Sequence, residues 1–480
     1  MTIRNVGPSA TYPTIAAAVA ASASGDTIRL AAGYSNERAV LTVQDLIVQG
    51  GEASLNIDLV LGNGIGDVTL SGLADIDVFD NGGSNVITGN RGGNTLRVSG
   101  GADVVLGGGG RDTLIVNYAD AVTDVVGTVG SITDGGTNSV SFEQVEDFII
   151  YTGSGDDTVT TGDGDNLLRT SDGNDTITTG AGDSLVESGD GNDTIEVGHG
   201  HNTVNAGRGD DTVTTGDGGN RVLAGQGNNT VTTGGGADQV YSGTGDDTLE
   251  TGAGRDSVQV SGGIDTADAG VGHDLLTVDY ADLSTNVMGR LSAGSVAGGY
   301  SGLVGDNTVH SVTFTGVEDF HITTGSGNDD VRTGGGDDTL IGRLGDDFFH
   351  GSTGNDVLVG GAGADTLSGG RDADFLTGGQ GVDSFRFDDL DSIIGTNDLI
   401  RDLSSNDSID LSRIDADVTT AGDQSFVLVG SFSGTAGEAN LRYVAADDVT
   451  RLTMDTDGDG AANIAIIAAG DHRTFDSFVL

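Results

Sequence analysis

The sequence predicts an all-β chain wound as a right-handed parallel β-helix or β-roll solenoid, and three observations carry that prediction. A nine-residue pattern runs from Thr152 to Thr277 as fourteen units with no residue inserted or lost. Position 4 of the unit is Gly and position 8 is apolar in all fourteen, from Val159 and Leu168 to Leu276. Position 6 is Asp or Asn in thirteen units, with Ser184 the exception. One apolar side chain per unit cannot bury itself, so the units must stack to share a core. A disordered low-complexity tract would not keep its apolar position fixed.

The remaining elements follow in chain order. Residues 1–79 read as a cap for the end of the repeat core. Within it, residues 11–27 suggest a short amphipathic helix ending near Gly25, followed by strand-like runs at 27–30, 40–43 and 45–48. This start resembles the N-terminal cap of pectate-lyase-like parallel β-helices, a family that includes polysaccharide lyases and epimerases. Only three or four coils fit before the repeats, which leaves little room for a catalytic cleft. A short array spans residues 80–115, with Asn85, Asn94, Asp103 and Asp112 at position 6. An insert at 116–151 precedes the long array of 152–277, and a second insert, 278–323, copies the first. Leu114-Ile-Val-Asn-Tyr-Ala-Asp120 parallels Leu276-Thr-Val-Asp-Tyr-Ala-Asp282, and Val145-Glu-Asp-Phe148 parallels Val317-Glu-Asp-Phe320. Each insert is expected to be a β-hairpin or excursion that re-enters the roll, with Tyr118, Tyr280, Phe148 and Phe320 as packing residues. The array of 324–386 has seven units with larger core residues, among them Phe349 and Phe385. A β-rich C-terminal domain, 387–480, ends the chain.

The residue types of one unit point to calcium. In Thr-Gly-Ser-Gly-Asp-Asp-Thr-Val-Thr, residues 152–160, the glycines permit positive φ and let carbonyls turn inward. The position-6 carboxylate adds a hard oxygen to that all-oxygen set, which suits Ca²⁺. Positions 7 to 9 form a short strand with the middle side chain inward. Two units make one eighteen-residue coil with a calcium turn on each edge. The candidate metal ligands are therefore Asp103, Asp112, Asp157, Asp175, Asp193, Asp211, Asp238, Asp247, Asp256, Asp265, Asp274, Asp329, Asp338, Asp347, Asp356, Asp365, Asp374 and Asp383. Alternate position-6 residues stack, so the two edges of the long array differ. One carries Asp157, Asp175, Asp193, Asp211 and Asn229; the other starts Asn166, Ser184, Asn202, Asn220. Neutral oxygens predict weak or absent calcium on that second stretch.

The units match the nonapeptide Gly-Gly-x-Gly-x-Asp-x-apolar-x, and the chain resembles the RTX (repeats-in-toxin) family of secreted calcium-binding proteins. The tail from Asp398-Leu-Ile-Arg-Asp402 onward resembles the C-terminal region that follows such repeats in serralysin-type secreted proteins. Its last residues, Asp476-Ser-Phe-Val-Leu480, resemble a type I secretion signal. No N-terminal signal peptide or membrane-span pattern is visible. The resemblance implies multiple Ca²⁺ ions, an extracellular location with the cell surface as one setting, and type I export machinery as a partner.

Composition narrows the function further. Net charge is −53 over 480 residues, all twenty basic residues are Arg, and Cys is absent. Such acidity argues against nucleic acid and anionic membranes. Without Cys there are no disulfides, so stability outside a cell must come from metal. No His-Glu-x-x-His or Gly-x-Ser-x-Gly motif is present. His199 and His201, at positions 3 and 5 of one turn, read as surface residues. Asp455, Asp457 and Asp459 fit the start of an EF-hand loop, but Ile466 stands where its bidentate Glu is needed, so a tight turn is expected. A Thr ladder at position 7 (Thr158, Thr176, Thr194, Thr212, Thr230, Thr248, Thr266) covers one face, and Leu167, Leu185, Leu223, Tyr241 and Leu275 are expected to be exposed on the other. The reading is a secreted calcium-binding protein that folds on Ca²⁺ and serves a structural, surface-associated or adhesive role through self-assembly or a polysaccharide partner. The alternatives are a polysaccharide-acting β-helix enzyme and an ice- or glycan-binding adhesin.

Overall fold

The structure, a computed structural model, describes residues 1–51, 56–293, 299–306, 308–388, 395–420 and 424–480. It comprises two compact units, Met1–Gly235 and Gly236–Leu480. Each is a parallel β-solenoid in which successive coils hydrogen-bond strand to strand.

In the first unit the coils are longer near the start of the chain than in the repeat array. Ile3 pairs with Thr27, Thr27 with Ile47, Leu46 with Val68, Asp67 with Val86 and Val86 with Val104. The eighteen-residue spacing reached by the last of these holds through the long array, as in Thr158 with Thr176 and Leu167 with Leu185. Two parallel sheets result, and position 8 of successive units fills the space between them. Val159, Leu168, Ile177, Val186, Ile195, Val204, Val213 and Val222 are all buried. The flanking position 7 is exposed or half-buried, the alternation a strand with one dry face requires.

The N-terminal helix is shorter than residues 11–27: it spans Ile15–Ala20. Thr14 Oγ1 accepts the Ala17 N–H, and the Glu37 carboxylate accepts the N–H groups of Ile15 and Ala16, which fixes the start just after Pro13. At the other end the Asp26 carboxylate takes the N–H groups of Ala23 and Thr2 and the Arg4 guanidinium. Those bonds turn the chain out of the helix and into strand Thr27–Leu30. Ile15, Ala18 and Val19 are buried, closing this end of the core.

The insert is a three-stranded excursion that returns to the roll. Val126–Thr128 runs antiparallel to Ser131–Thr133, which runs antiparallel to Ser139–Glu143. The outer two strands of this meander continue the parallel sheet, pairing with Thr158–Thr160 and Ala102–Leu106. Tyr118 and Phe148 pack inside.

The second unit repeats this design. Met288–Ala293, Tyr300–Gly305 and Ser311–Val317 form the same meander, entered from Ile264–Asp268 and left through Asp330–Arg332. Its array has a bulkier core of Leu340, Phe349, Leu358, Leu367, Leu376 and Phe385. Coil stacking continues past residue 386: Phe375 pairs with Leu399 and Ser384 with Ser408. Antiparallel strands Glu438–Val444, Val449–Asp455 and Ile464–Ala469 follow, and Phe478 pairs with Ile409. Asp455 does end in a tight turn, its carboxylate accepting the N–H groups of Gly458 and Gly460. Among the described residues no helix is long and apolar enough to cross a membrane.

The face opposite the Thr ladder is less open than the sequence suggested. Leu167, Leu185, Leu223, Tyr241 and Leu275 are half-buried rather than exposed, because in-register neighbours such as Leu167 and Leu185 cover one another.

Candidate metal centre

Each edge of the solenoid is a stack of glycine turns tied together by side chains. On the first edge the backbone N–H of Asp157 donates to Asp175 Oδ1, that of Asp175 to Asp193 Oδ1, and that of Asp193 to Asp211 Oδ1, each at 2.8 Å. The ladder is entered from Val125, whose N–H donates to Asp157 Oδ1 at 2.7 Å. In the second unit the same bond links Asp238, Asp256 and Asp274, and Asp247 to Asp265. It also links Asp329, Asp347, Asp365 and Asp383 on one edge and Asp338, Asp356 and Asp374 on the other. In the short array, Asp103 and Asp112 accept from Asn85 and Asn94.

All eighteen candidate carboxylates point inward and are no more than 3% exposed. One oxygen of each serves the ladder. The second, Oδ2, is buried and makes no hydrogen bond in sixteen of them: Asp103, Asp112, Asp157, Asp175, Asp193, Asp211, Asp256, Asp265, Asp274, Asp329, Asp338, Asp347, Asp356, Asp365, Asp374 and Asp383. Asp238 and Asp247 are buried to the same degree. Burial of a charged oxygen without a donor is costly. It shows in the acidities, which desolvation pushes up to about 6 for Asp175, Asp274 and Asp365, about 7 for Asp211, Asp265 and Asp347, and about 9 for Asp356. A row of such oxygens is the arrangement a hard cation resolves.

Space is reserved beside them. A Cβ at Gly351 or Gly369, position 1 of their units, would overlap Oδ2 of Asp356 or Asp374. At position 4 the glycine is required twice over. Gly191 has φ +148°, and a Cβ there would lie on the Gly173 carbonyl oxygen of the adjacent coil. At position 4 the turns are thus packed carbonyl against glycine.

A second ladder, absent from the sequence reading, runs the opposite way at position 5. Asp156 accepts the Asn174 N–H, Asn174 that of Asn192, and Asn192 that of Asp210, each at 2.8 Å. On the other edge Asp165 accepts from Asp183, and Asp183 from His201. His201 itself is exposed, and His199 Nδ1 accepts the Asp217 N–H, so both histidines are surface members of the turn stacks. Where positions 5 and 6 carry such side chains, a turn is bonded to the coil before it through position 6 and to the coil after it through position 5. The sequence signal was the recurrence of Asp, Asn and His at a position that the repeat pattern leaves variable.

The duplicated Glu-Asp-Phe of the inserts joins these ladders. Glu146 Oε2 accepts the Asp112 N–H and Glu318 Oε2 the Asp274 N–H, both at 2.8 Å, standing in for a position-6 side chain. Asp147 and Asp319 accept the N–H groups of Asp165 and Asp337 in the position-5 manner. Phe148 and Phe320 donate their N–H groups to Asn166 and Asp338. Beyond the last repeat, Asp374 and Asp383 donate to Asp398 and Asp407. Asp407 Oδ2 accepts the Ser404 N–H, so that ladder ends on a protein donor.

Stacked glycine turns with inward carboxylates define a calcium-binding parallel β-roll. Residues 79–114, 151–186, 179–213, 187–222 and 214–249 match the RTX calcium-binding nonapeptide repeat, and residues 264–480 match the Peptidase M10 serralysin C terminal family. The chain therefore carries RTX repeats, whose ligand is multiple Ca²⁺ ions, and a serralysin-type C-terminal region. No curated protein matches it significantly. Among solved structures it is similar to the solution structure of a subunit from the Azotobacter vinelandii mannuronan C5-epimerase. That match is 27% identical over 34% of this chain and 77% of that one, with a TM-score of 0.18. Another is the crystal structure of an extracellular lipase from Serratia marcescens, 16% identical over 54% of this chain and 40% of that one, with a TM-score of 0.13.

Proposed function

We propose that this protein is a secreted, calcium-folded solenoid with a structural, surface-associated or adhesive role. The observation that supports the reading is the row of buried Oδ2 atoms without donors. In each turn that oxygen, with the backbone carbonyls of positions 2 and 4, would hold a Ca²⁺ ion. Bound calcium supplies the positive charge that the stacked carboxylates lack. The protein's own residues orient the oxygens, through the position-6 ladder, and exclude water from them by burial. In low-calcium cytosol the roll would stay unfolded and exportable by a type I system; outside the cell, millimolar calcium would fold it. Circular dichroism of the purified chain tests the folding reading: β signal should appear on calcium titration and vanish in excess chelator. A full β signal in chelator would refute it. Electron microscopy with and without calcium tests the structural role, which predicts calcium-dependent sheets or filaments.

A further inference from the structure

The second edge of the long array shows what fills a turn that has no carboxylate. Asn202 keeps the ladder bond, its Oδ1 accepting the Ser184 N–H at 2.9 Å. That bond fixes which way the amide faces, because the atom opposite a backbone N–H must be the oxygen. Nδ2 therefore points into the turn, where it donates to the carbonyls of Gly198 at 2.9 Å and Gly200 at 3.4 Å. Asn220 does the same, with Nδ2 at 2.9 Å from both the Gly216 and Gly218 carbonyls. Asn166 Nδ2 reaches the Gly164 carbonyl at 3.0 Å and the Gly162 carbonyl at 3.5 Å, and Asn229 Nδ2 the Gly227 carbonyl at 3.2 Å. These carbonyls belong to positions 2 and 4 of the same unit. At Asp193, one edge over, the atom in the place of Nδ2 is an oxygen, Oδ2, buried without a donor.

We infer that the asparagine amide nitrogen takes the place of the calcium ion, so that Asn166, Asn202, Asn220 and Asn229 close their turns without metal. An amide and a carboxylate have the same shape. The amide brings two hydrogens to the carbonyls, whereas the carboxylate adds a third acceptor that only a cation can bridge. The choice of Asp or Asn at position 6 thus sets which turns take calcium, and the stretch from Asn166 to Asn220 is a built-in metal-independent edge. Ser184, between them, offers its Oγ to Asn166 Nδ2 at 3.5 Å. This inference rests on the calcium reading above, and its test separates the two.

The test compares the full chain with Asp193→Asn and Asn202→Asp, counting bound calcium after equilibrium dialysis and following thermal unfolding at the lowest calcium at which all three fold. Wild-type stoichiometry alone checks the calcium reading, and a wild type without bound calcium refutes it. Given a calcium-loaded wild type, Asp193→Asn should lose roughly one ion and Asn202→Asp should gain roughly one. At that calcium concentration, Asp193→Asn should melt about 2–4 °C above wild type and Asn202→Asp below it. If Asn202→Asp binds no extra calcium, or if Asp193→Asn is no more stable than wild type at that limiting calcium, the amide does not replace the ion.

Discussion

Asp175 donates its backbone N–H to Asp193 Oδ1 at 2.8 Å, one coil further along, and leaves Asp193 Oδ2 buried without a donor. One carboxylate therefore has two unlike oxygens, one structural and one facing an all-oxygen turn. The solenoid can stack its backbone with protein groups alone, but it cannot neutralise its own interior. On the reading proposed above, folding and calcium would be coupled through that division.

The carbonyl-to-glycine packing of the turns predicts a sharp contrast between two glycines of the same array. Gly191 combines φ +148° with a site where a Cβ would overlap the Gly173 carbonyl, whereas Gly162 has open space around its missing Cβ. Gly191→Ala should cost about 2–4 kcal/mol, from backbone strain and a forced shift of the neighbouring coil, while Gly162→Ala should stay within about 0.5 kcal/mol of wild type. Urea unfolding in saturating calcium measures both, and equal effects would contradict the packing described.

The junction residues give a second prediction. Glu318 Oε2 is the acceptor for the Asp274 N–H where the array meets the insert. Glu318→Ala leaves that donor unsatisfied and should cost about 1–2 kcal/mol, whereas Glu318→Gln keeps an acceptor of the same length and should cost much less. The equivalent pair at Glu146 should behave alike, since it receives the Asp112 N–H at the same distance. Comparable losses from the Ala and Gln variants would show that the side chain matters for something other than that bond.

The period made the stacking legible, because a fixed apolar position every nine residues has one geometric solution. The inward row at position 6 followed from the same register, as did the packing of Tyr118, Tyr280, Phe148 and Phe320 inside the inserts. Other features were hidden for physical reasons. The position-5 ladder depends on a side chain reaching forward to the coil after it, and Asp, Asn and His all serve, so no single residue type marks it. Glu146 and Glu318 act one methylene longer than the Asp they replace and sit outside the nine-residue frame. Stacking through Asp398 and Asp407 was obscured because the spacing from Asp374 and Asp383 lengthens to 24 residues. The helix was overextended because an alanine-rich run scores well beyond Ala20, while Asp26 captures three partners and turns the chain away.

The acidities of the buried carboxylates make stability without calcium depend on pH in a defined direction. Desolvation raises Asp211 and Asp347 to about 7 and Asp356 to about 9 from an ordinary 3.8. A folded-state value above the unfolded one means that the fold favours the protonated form. Its contribution is fully present below the unfolded value and is lost as pH rises through the folded values. In chelator the unfolded chain should therefore lie closer to folding, with more residual β signal, near pH 5 than near pH 8, since protons then stand where cations would. With calcium the order reverses, because the ligands must shed those protons before they bind. The calcium concentration for half-folding should rise as pH falls below about 7, by up to about tenfold per unit for each proton displaced per ion. Calcium titrations followed by circular dichroism between about pH 5 and pH 8 measure both trends. Residual β signal in chelator that stays flat or climbs across that window would mean that the carboxylates are already paired in the apo fold.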